Sequence, residues 1–110
     1  MTRGDLVTVA AGSGYGAKPR PAVIVQSDDF AATASVTVCL LTSRDLGAPL
    51  LRLPLLPTDA NHLTAPSWIM VDKILTIPRS KVGRRIGKLA AADVGNLNRA
   101  LAVFLGIAGP

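Results

Sequence analysis

Hydrophobic and polar positions along the chain alternate in short runs, which is typical of β-strands rather than of long helices. Six runs rich in β-branched residues, each bounded by residues that favour turns, predict five or six strands. They cover Asp5 to Ala11, Pro21 to Gln26, Ser35 to Thr42, Leu50 to Leu56, Trp68 to Ile77 and Arg84 to Leu89. Pro54 places the fourth run at a sheet edge or a bulge, because proline cannot donate a ladder hydrogen bond. The fifth run is either one strand or two short strands around Asp72.

Helical periodicity is confined to the end of the chain. From Ala91 to Leu105, apolar residues recur at intervals of three and four, beginning at Val94 and Leu97, and form one apolar stripe. Before this segment, Pro78 ends the fifth run, and Arg79 to Val82 is expected to make one helical turn. Short strands followed by one terminal helix predict a mainly β (α+β) fold, a small barrel or curled antiparallel sheet capped by the helix.

Composition narrows the class of protein. A chain of 110 residues that is 49% hydrophobic predicts one folded domain over residues 1–110 with its own core. No apolar run approaches the ~20 residues of a membrane span, and the first residues lack the apolar segment of a signal peptide. Cys39 and His62 are the only residues of their types, too few for a zinc site. A single cysteine fits a reducing cytoplasm.

The chain is basic, with 12 Lys and Arg against 7 acidic residues and a formal charge of +5. This excess favours RNA, DNA or an acidic protein segment as partner, and a basic domain without such a partner is the alternative. Every acidic residue is an aspartate, so any carboxylate base is Asp5, Asp28, Asp29, Asp45, Asp59, Asp72 or Asp93. Half of the basic residues follow one another with no acid between them: Lys73, Arg79, Lys81, Arg84, Arg85 and Lys88.

Several short segments stand in a definite order along the chain. Arg3-Gly4-Asp5 opens the first strand, and a Gly-rich segment precedes the stretch from Lys18 to Asp28. Further on come Leu41-Thr42-Ser43, Pro66-Ser67, Val71-Asp72-Lys73-Ile74, Thr76-Ile77-Pro78-Arg79 and Ile86-Gly87-Lys88-Leu89. Over roughly Arg3 to Gly106, this order resembles the MazF/PemK (Kid) toxins of bacterial type II toxin–antitoxin modules.

The resemblance implies an SH3-like barrel of the CcdB/MazF type that forms a homodimer in the bacterial cytoplasm. It implies a sequence-specific endoribonuclease, an mRNA interferase, that cleaves single-stranded RNA without a metal or other cofactor. Attack by the 2′-hydroxyl leaves a 2′,3′-cyclic phosphate and a 5′-hydroxyl. It also implies a cognate antitoxin whose flexible, acidic tail covers the RNA groove.

Two catalytic residues follow from the resemblance, Arg20 at the start of the second strand and Thr42 at the end of the third. Their chemistry suits the reaction, because a guanidinium stays charged and presents a fixed fork of donors to phosphoryl oxygens. A threonine hydroxyl donates to the same oxygens. Pro19 and Pro21 stiffen the backbone on either side of Arg20. Without the resemblance, Arg20 would be interpreted as a solvent-exposed charge at the end of a strand, and Thr42 as an ordinary strand residue.

Asp72 is the third candidate catalytic residue, again by resemblance. Two roles are equally open for it: an acid–base or RNA-orienting group, and a structural partner of Arg20, Lys73 or Arg79.

The chain also departs from the family pattern, since it has Tyr15 in the first loop and Pro19 before Arg20 in place of an acid and a histidine. Met70 stands where PemK-like members often carry an arginine. His62 is either a proton shuttle or a surface residue.

The predicted RNA-binding residues are mostly basic. Lysine and arginine that follow a nucleic-acid backbone make binding strongly dependent on salt. Tyr15 is placed to stack on a base, whereas Trp68 is expected in the core or a dimer interface. The predicted set is Tyr15, Lys18, Ser43, Lys73, Arg79, Arg84 and Arg85.

Two other functions are compatible with the same fold. CcdB-like toxins bind DNA gyrase and hydrolyse nothing, but they rely on a Trp-Gly-Ile end, whereas this chain ends Ile107-Ala108-Gly109-Pro110. The second alternative is a homologue with weak catalysis that only binds its antitoxin, since few general acids or bases are present.

Overall fold

A computed structural model describes residues 1–10 and 18–110 and contains six strands and one α-helix. The strands are β1 (Asp5–Val9), β2 (Arg20–Ile24), β3 (Ser35–Thr42), β4 (Arg52–Leu55), β5 (Ser67–Pro78) and β6 (Val82–Lys88). Two 3₁₀-helices (Asp28–Phe30 and Arg79–Lys81) and the C-terminal α1 (Ala91–Phe104) complete the fold. The predicted mainly β fold with one terminal helix is confirmed.

Most predicted strands are present with shifted ends. β3 has the predicted bounds, and the turn predicted after Pro78 is the 3₁₀-helix Arg79–Lys81. β4 is shorter than predicted because Leu50 and Leu56, which the pattern included, are exposed. β5 is one continuous strand, the first of the two alternatives.

The sheet is antiparallel throughout, with the strand order β4-β5-β3-β2-β1-β6. β4 lies at an edge, which confirms the prediction from Pro54. β5 and β6 are four strand positions apart, which is ~19 Å in a flat sheet. Only the three residues of a 3₁₀-helix, rising ~2 Å each, join them. The sheet must therefore curl until its two sides approach each other.

Alternating side chains along the strands build two cores on the two faces of the curled sheet. The first, which α1 covers, contains Leu6, Val23, Cys39, Leu41, Leu55, Ile69, Leu89 and Leu97. The second contains Val7, Val9, Ala22, Ile24, Val36 and Val38. Neighbouring residues such as Leu6 and Val7 enter different cores, as the two-residue period of a strand requires. With both faces buried, the ends of the strands are left as places where polar side chains can gather.

α1 packs through the predicted stripe, since Leu97 is buried and Val94 and Leu101 contact the first core. The helix ends in a Schellman motif, in which Gly106 N donates to Val103 O and Ile107 N donates to Ala102 O. Gly106 has a φ of +75°, a conformation that glycine adopts without steric cost. No helix in residues 1–10 and 18–110 is long and apolar enough to cross a membrane.

The pairing of β5 with β3 shifts register in the middle of both strands. Cys39 pairs with Ile74, but Leu41 pairs with Ile69, so residues 70–73 of β5 lie opposite the single residue Leu40. Such a bulge bends a strand and redirects its side chains. Here the bulge includes Asp72.

Candidate active site

A cleft of about 730 Å³ opens at one end of the sheet. Its lining comes from the start of β2, the end of β3 with the turn that follows, and the segment between β4 and β5 with the first residue of β5. The lining residues are Arg20, Pro21, Leu41, Thr42, Ser43, Arg44, Leu63, Thr64, Ala65 and Ser67. Three predicted site residues, Arg20, Thr42 and Ser43, are thus brought together.

Strand pairing explains why Arg20 and Thr42 meet, although 21 other residues separate them in the chain. Ala22 pairs with Leu40, so continuing the same register to the strand ends sets Arg20 opposite Thr42. Residues directly opposite in antiparallel strands point to the same face, with Cβ atoms ~5 Å apart. Arg20 is exposed and Thr42 is half-buried. The guanidinium and the hydroxyl therefore border one accessible volume.

The cleft is positively charged and rich in hydroxyl groups. Arg20 and Arg44 line it, and none of the described lining residues carries a carboxylate. Thr42 Oγ1 accepts a hydrogen bond from Arg44 N at 3.1 Å, so the hydroxyl proton is free to point into the cleft. Ser67 Oγ donates to Ala65 O at 3.0 Å and fixes the opposite wall. This arrangement suits an anion that accepts hydrogen bonds.

The wall around residues 63–65 is held by Asn61, which is 1% exposed. Asn61 Oδ1 accepts from Thr58 N at 2.9 Å and from Leu63 N at 3.0 Å, and Nδ2 donates to Leu56 O at 2.9 Å. The same segment packs on β6 at Gly87, where a Cβ would lie 2.4 Å from Ala60 O. No pattern in the sequence distinguishes Asn61 from the other polar residues of this segment.

Asp72 lies outside the cleft lining and forms an ion pair with Arg52 Nη1. Arg52 is 6% exposed and belongs to β4, where it pairs in register with Met70 of β5. Asp72 lies two residues beyond Met70 on β5, which sets it diagonal to Arg52 across the two strands. Asp72 thus has a structural partner, Arg52. The partners expected from the sequence were Arg20, Lys73 or Arg79. The catalytic role of Asp72 stays a prediction.

The other predicted RNA-binding residues are spread over the molecule. Lys18 is exposed just before β2. Lys73 is exposed on β5, and Arg84 and Arg85 are exposed on the edge strand β6, where Arg85 Nε lies 3.3 Å from Asp5 Oδ1. None of these lines the cleft. Tyr15 lies outside the described residues.

Arg79 follows β5 at the opposite end from Ser67. Its Nε donates to Thr33 O at 3.0 Å and its Nη2 donates to Ala31 O at 2.8 Å. The guanidinium therefore ties the connection between β2 and β3 to the end of β5. RNA contacts by Arg79 and by the other basic residues outside the cleft stay predictions.

The histidine and the cysteine contribute little to the cleft. His62 is exposed, and its Nδ1 lies 2.6 Å from Ile86 O, so Nδ1 is the donor because a carbonyl only accepts. Burial raises the pKa of Cys39 to about 11, which leaves the thiol protonated at neutral pH and therefore a poor nucleophile. Residues 1–10 and 18–110 contain no cluster of three His, Cys, Asp or Glu residues that could hold a metal.

Comparisons with known proteins agree with this architecture. A curated relative from Mycolicibacterium smegmatis, named probable endoribonuclease MazF, is 52% identical over 109 residues, which cover 99% of this chain and 100% of the relative. A mycobacterial endoribonuclease solved in complex with its cognate antitoxin superposes with a TM-score of 0.82 at 26% identity, covering 100% of this chain and 99% of that chain. The Mycobacterium tuberculosis toxin MazF-mt6 gives a TM-score of 0.79 at 25% identity, covering 93% and 96%.

The family model that matches describes PemK-like, MazF-like toxins of type II toxin–antitoxin systems, and it matches residues 2–105. The match spans every strand and α1, and it includes the cleft. This chain therefore belongs to the PemK-like, MazF-like toxin family.

Proposed function

We propose that this chain is the toxin of a type II toxin–antitoxin module and cleaves single-stranded RNA in the cleft between Arg20 and Thr42. The observation that carries the proposal is the joint placement of an exposed guanidinium and a free hydroxyl in a positively charged cleft. Family membership and the relative named probable endoribonuclease MazF support the reaction class.

The proposed reaction is an internal transfer within the RNA. The 2′-oxygen attacks the adjacent phosphorus and loses its proton, the bond from phosphorus to the 5′-oxygen breaks, and the 5′-oxygen takes up a proton. Charge develops on the phosphoryl oxygens as the bonds change. The Arg20 guanidinium and the Thr42 hydroxyl donate to these oxygens, where fixed donors stabilise the transition state more than the ground state.

The cleft supplies charge stabilisation and positioning rather than an evident general base. Neither a carboxylate nor an imidazole is among the described residues that line it. The reaction as proposed needs no metal or organic cofactor, because the arginine performs the electrostatic work that a cation performs elsewhere. Asp72 is retained as a prediction for a group that orients the RNA or moves a proton.

Cleavage of a long RNA of mixed sequence in the presence of EDTA tests the proposal. We expect cuts at a short recurring sequence, with 2′,3′-cyclic phosphate and 5′-hydroxyl ends. Arg20→Ala should lower the cleavage rate by at least 100-fold, since one donor to developing charge is worth about 3 kcal/mol. Arg99→Ala is the matched control because Arg99 lies on α1 and bonds Asn96 there. Equal cleavage by Arg20→Ala and the wild type would overturn the assignment.

We also propose a cognate antitoxin with an acidic, flexible tail as partner, and a homodimer in the bacterial cytoplasm. The absence of carboxylates from the described cleft lining leaves Arg20 and Arg44 open to an acidic segment, which would compete with RNA. A short reading frame with an acidic C-terminal segment next to this gene, whose product co-purifies with the toxin and blocks cleavage, is the expected finding. Co-purification without inhibition would contradict competition for the cleft.

A further inference from the structure

The cleft has two kinds of lining. Arg20 of β2 and Thr42 of β3 belong to paired strands, so the ladder of the sheet fixes their backbones. Residues 63–65 lie between β4 and β5 and belong to no strand or helix. Other hydrogen bonds must hold them in place. The contacts that fix residues 63–65 therefore decide the shape of this part of the cleft.

Asn61 organises this segment from inside. It is 1% exposed, and its Oδ1 accepts a hydrogen bond from Leu63 N at 3.0 Å, at the first lining residue of the segment. Its Nδ2 donates to Leu56 O at 2.9 Å, directly after the end of β4. Thr58 N donates to the same Oδ1 at 2.9 Å. One buried amide thus connects the end of β4 to the lining of the cleft.

Residues 63–65 are attached by three contacts of different kinds. The side chain of Leu63 packs against the first core. Ser67 Oγ of β5 donates to Ala65 O at 3.0 Å. The third contact is the bond from Leu63 N to Asn61. Because apolar packing has no preferred direction and a hydrogen bond has one, the bond to Asn61 orients the backbone where the lining begins.

The segment also rests on β6, through residues next to Asn61. Lys88 N donates to Ala60 O at 3.0 Å, and His62 Nδ1 donates to Ile86 O at 2.6 Å. Within residues 1–10 and 18–110, His62 is the one residue other than glycine with a positive φ, +55°. Such a conformation persists only where the surroundings hold it. Contacts with β6 thus fix where the segment lies, and Asn61 fixes how its last residues meet the cleft.

From these contacts, we infer that Asn61 is a positioning residue of the reaction, whose amide holds residues 63–65 where they keep the RNA backbone against Arg20 and Thr42. Asn61 acts through this segment, since it is buried and is not among the described residues that line the cleft. Internal transfer requires the 2′-oxygen, the phosphorus and the 5′-oxygen to align, and a misplacement of about 1 Å can cost about 100-fold in rate. The inference rests on the proposed ribonuclease function.

Cleavage kinetics on an oligonucleotide of the mapped cleavage sequence test the role. Asn61→Ala removes three side-chain hydrogen bonds and should lower kcat by about 10- to 100-fold. RNA affinity should change little, because phosphate contacts along the strand supply most of the binding. Affinity is measured with the same oligonucleotide carrying deoxyribose at the cleaved nucleotide, which binds but cannot react. All rates are taken well below the unfolding transition of each variant, so lost stability alone does not lower kcat.

His62→Gly is the matched control in the same segment. It removes the bond to Ile86 O but leaves the Asn61 bonds in place, and glycine adopts a positive φ without strain. Its kcat should stay close to that of the wild type. A loss as large as that of Asn61→Ala would assign the effect to the imidazole or to β6 and would overturn the role of Asn61.

Asn61→Asp separates positioning from stability. Aspartate keeps an oxygen for Thr58 N and Leu63 N but cannot donate to Leu56 O, so the protein should lose stability while Leu63 stays held. Its kcat should therefore stay well above that of Asn61→Ala. Hydrogen exchange at the Leu63 amide shows whether the bond persists, and we expect faster exchange in the alanine variant than in the wild type or the aspartate variant.

The outcomes distinguish this role from the proposed function. Joint loss of Leu63 protection and of kcat supports the role. If Asn61→Ala frees the Leu63 amide but keeps the kcat of the wild type, the role is overturned while the ribonuclease function stands. An equal fall in kcat in both Asn61 variants, with the Leu63 amide still protected in Asn61→Asp, overturns it as well. If the wild type cleaves no RNA, the proposed function itself fails, and the role of Asn61 in cleavage fails with it.

Discussion

Arg20 and Arg52 occupy equivalent local positions in very different surroundings. Each is the first residue of a strand, β2 for Arg20 and β4 for Arg52, and each lines a cavity, although the two strands run in opposite directions. Arg20 is exposed and belongs to neither ion pair in the described part of the chain. Arg52 is buried and paired with Asp72. The same side chain thus makes one cavity cationic and leaves its neighbour close to neutral.

The difference indicates which of the two arginines is available to bind an RNA phosphate. An unpaired guanidinium in an open cleft keeps its full charge for a phosphate, and the phosphate carries no sequence information. A buried guanidinium paired with a carboxylate has little net charge left for a phosphate.

The largest effect should come from breaking the buried pair. Arg52→Met removes the charge but keeps the length of the side chain, and it leaves Asp72 without its partner. Breaking a buried ion pair costs 3–5 kcal/mol, and we expect about 3 kcal/mol because a fifth of the Asp72 side chain, 21%, remains exposed. Urea unfolding measures this change in the free energy of unfolding.

Two controls make that measurement specific. Arg20→Met, the same substitution at the exposed arginine, should change the free energy of unfolding by no more than ~0.5 kcal/mol. The double variant Arg52→Met with Asp72→Leu should recover most of the loss, because replacing both partners leaves no charge buried alone. If the single and double variants were equally unstable, the pair would not be the cause.

The next largest effect concerns Thr42 in the cleft. Thr42→Val keeps the shape of the side chain and removes the donor, so the cleavage rate at saturating RNA should fall by about 100-fold. Thr42→Ser keeps the hydroxyl and should stay within about 10-fold of the wild type. RNA binding should change little in either variant, since the hydroxyl acts mainly in the transition state. A valine variant that loses binding but keeps its rate would assign Thr42 to binding alone.

The sequence predicted β3, the 3₁₀ turn after Pro78 and α1 well, because each has a clear period and clear end signals. Through the family resemblance, Arg20 and Thr42 were predicted as catalytic residues and Ser43 as an RNA-binding residue, and the three line one cleft. Arg52 was missed, because its importance depends on the register between β4 and β5 and on the bulge at residues 70–73. A bulge of this kind leaves no periodic signal in one sequence.

Asn61 was missed for a related reason. Its four hydrogen bonds within residues 56–63 organise a loop from inside, and loop composition gives no sign of which polar residue is buried. Trp68 was placed in the core or an interface because tryptophan is usually buried. Only the strand pairing shows that it stands beside Thr42.

The smallest predicted effect concerns the affinity for RNA and its dependence on salt, at one arginine on the rim of the cleft. Arg44 is exposed at this rim, so its contribution should be an unspecific contact to the RNA backbone. Arg44→Ala should lower RNA affinity only several-fold and should reduce the slope of log affinity against log salt by about 0.7–1. Arg99→Ala, which removes a charge from α1 away from the cleft, should leave that slope unchanged. Binding of the non-cleavable oligonucleotide over a range of salt concentrations measures both. If Arg44→Ala and Arg99→Ala gave the same salt slope as the wild type, Arg44 would make no contact with the RNA backbone.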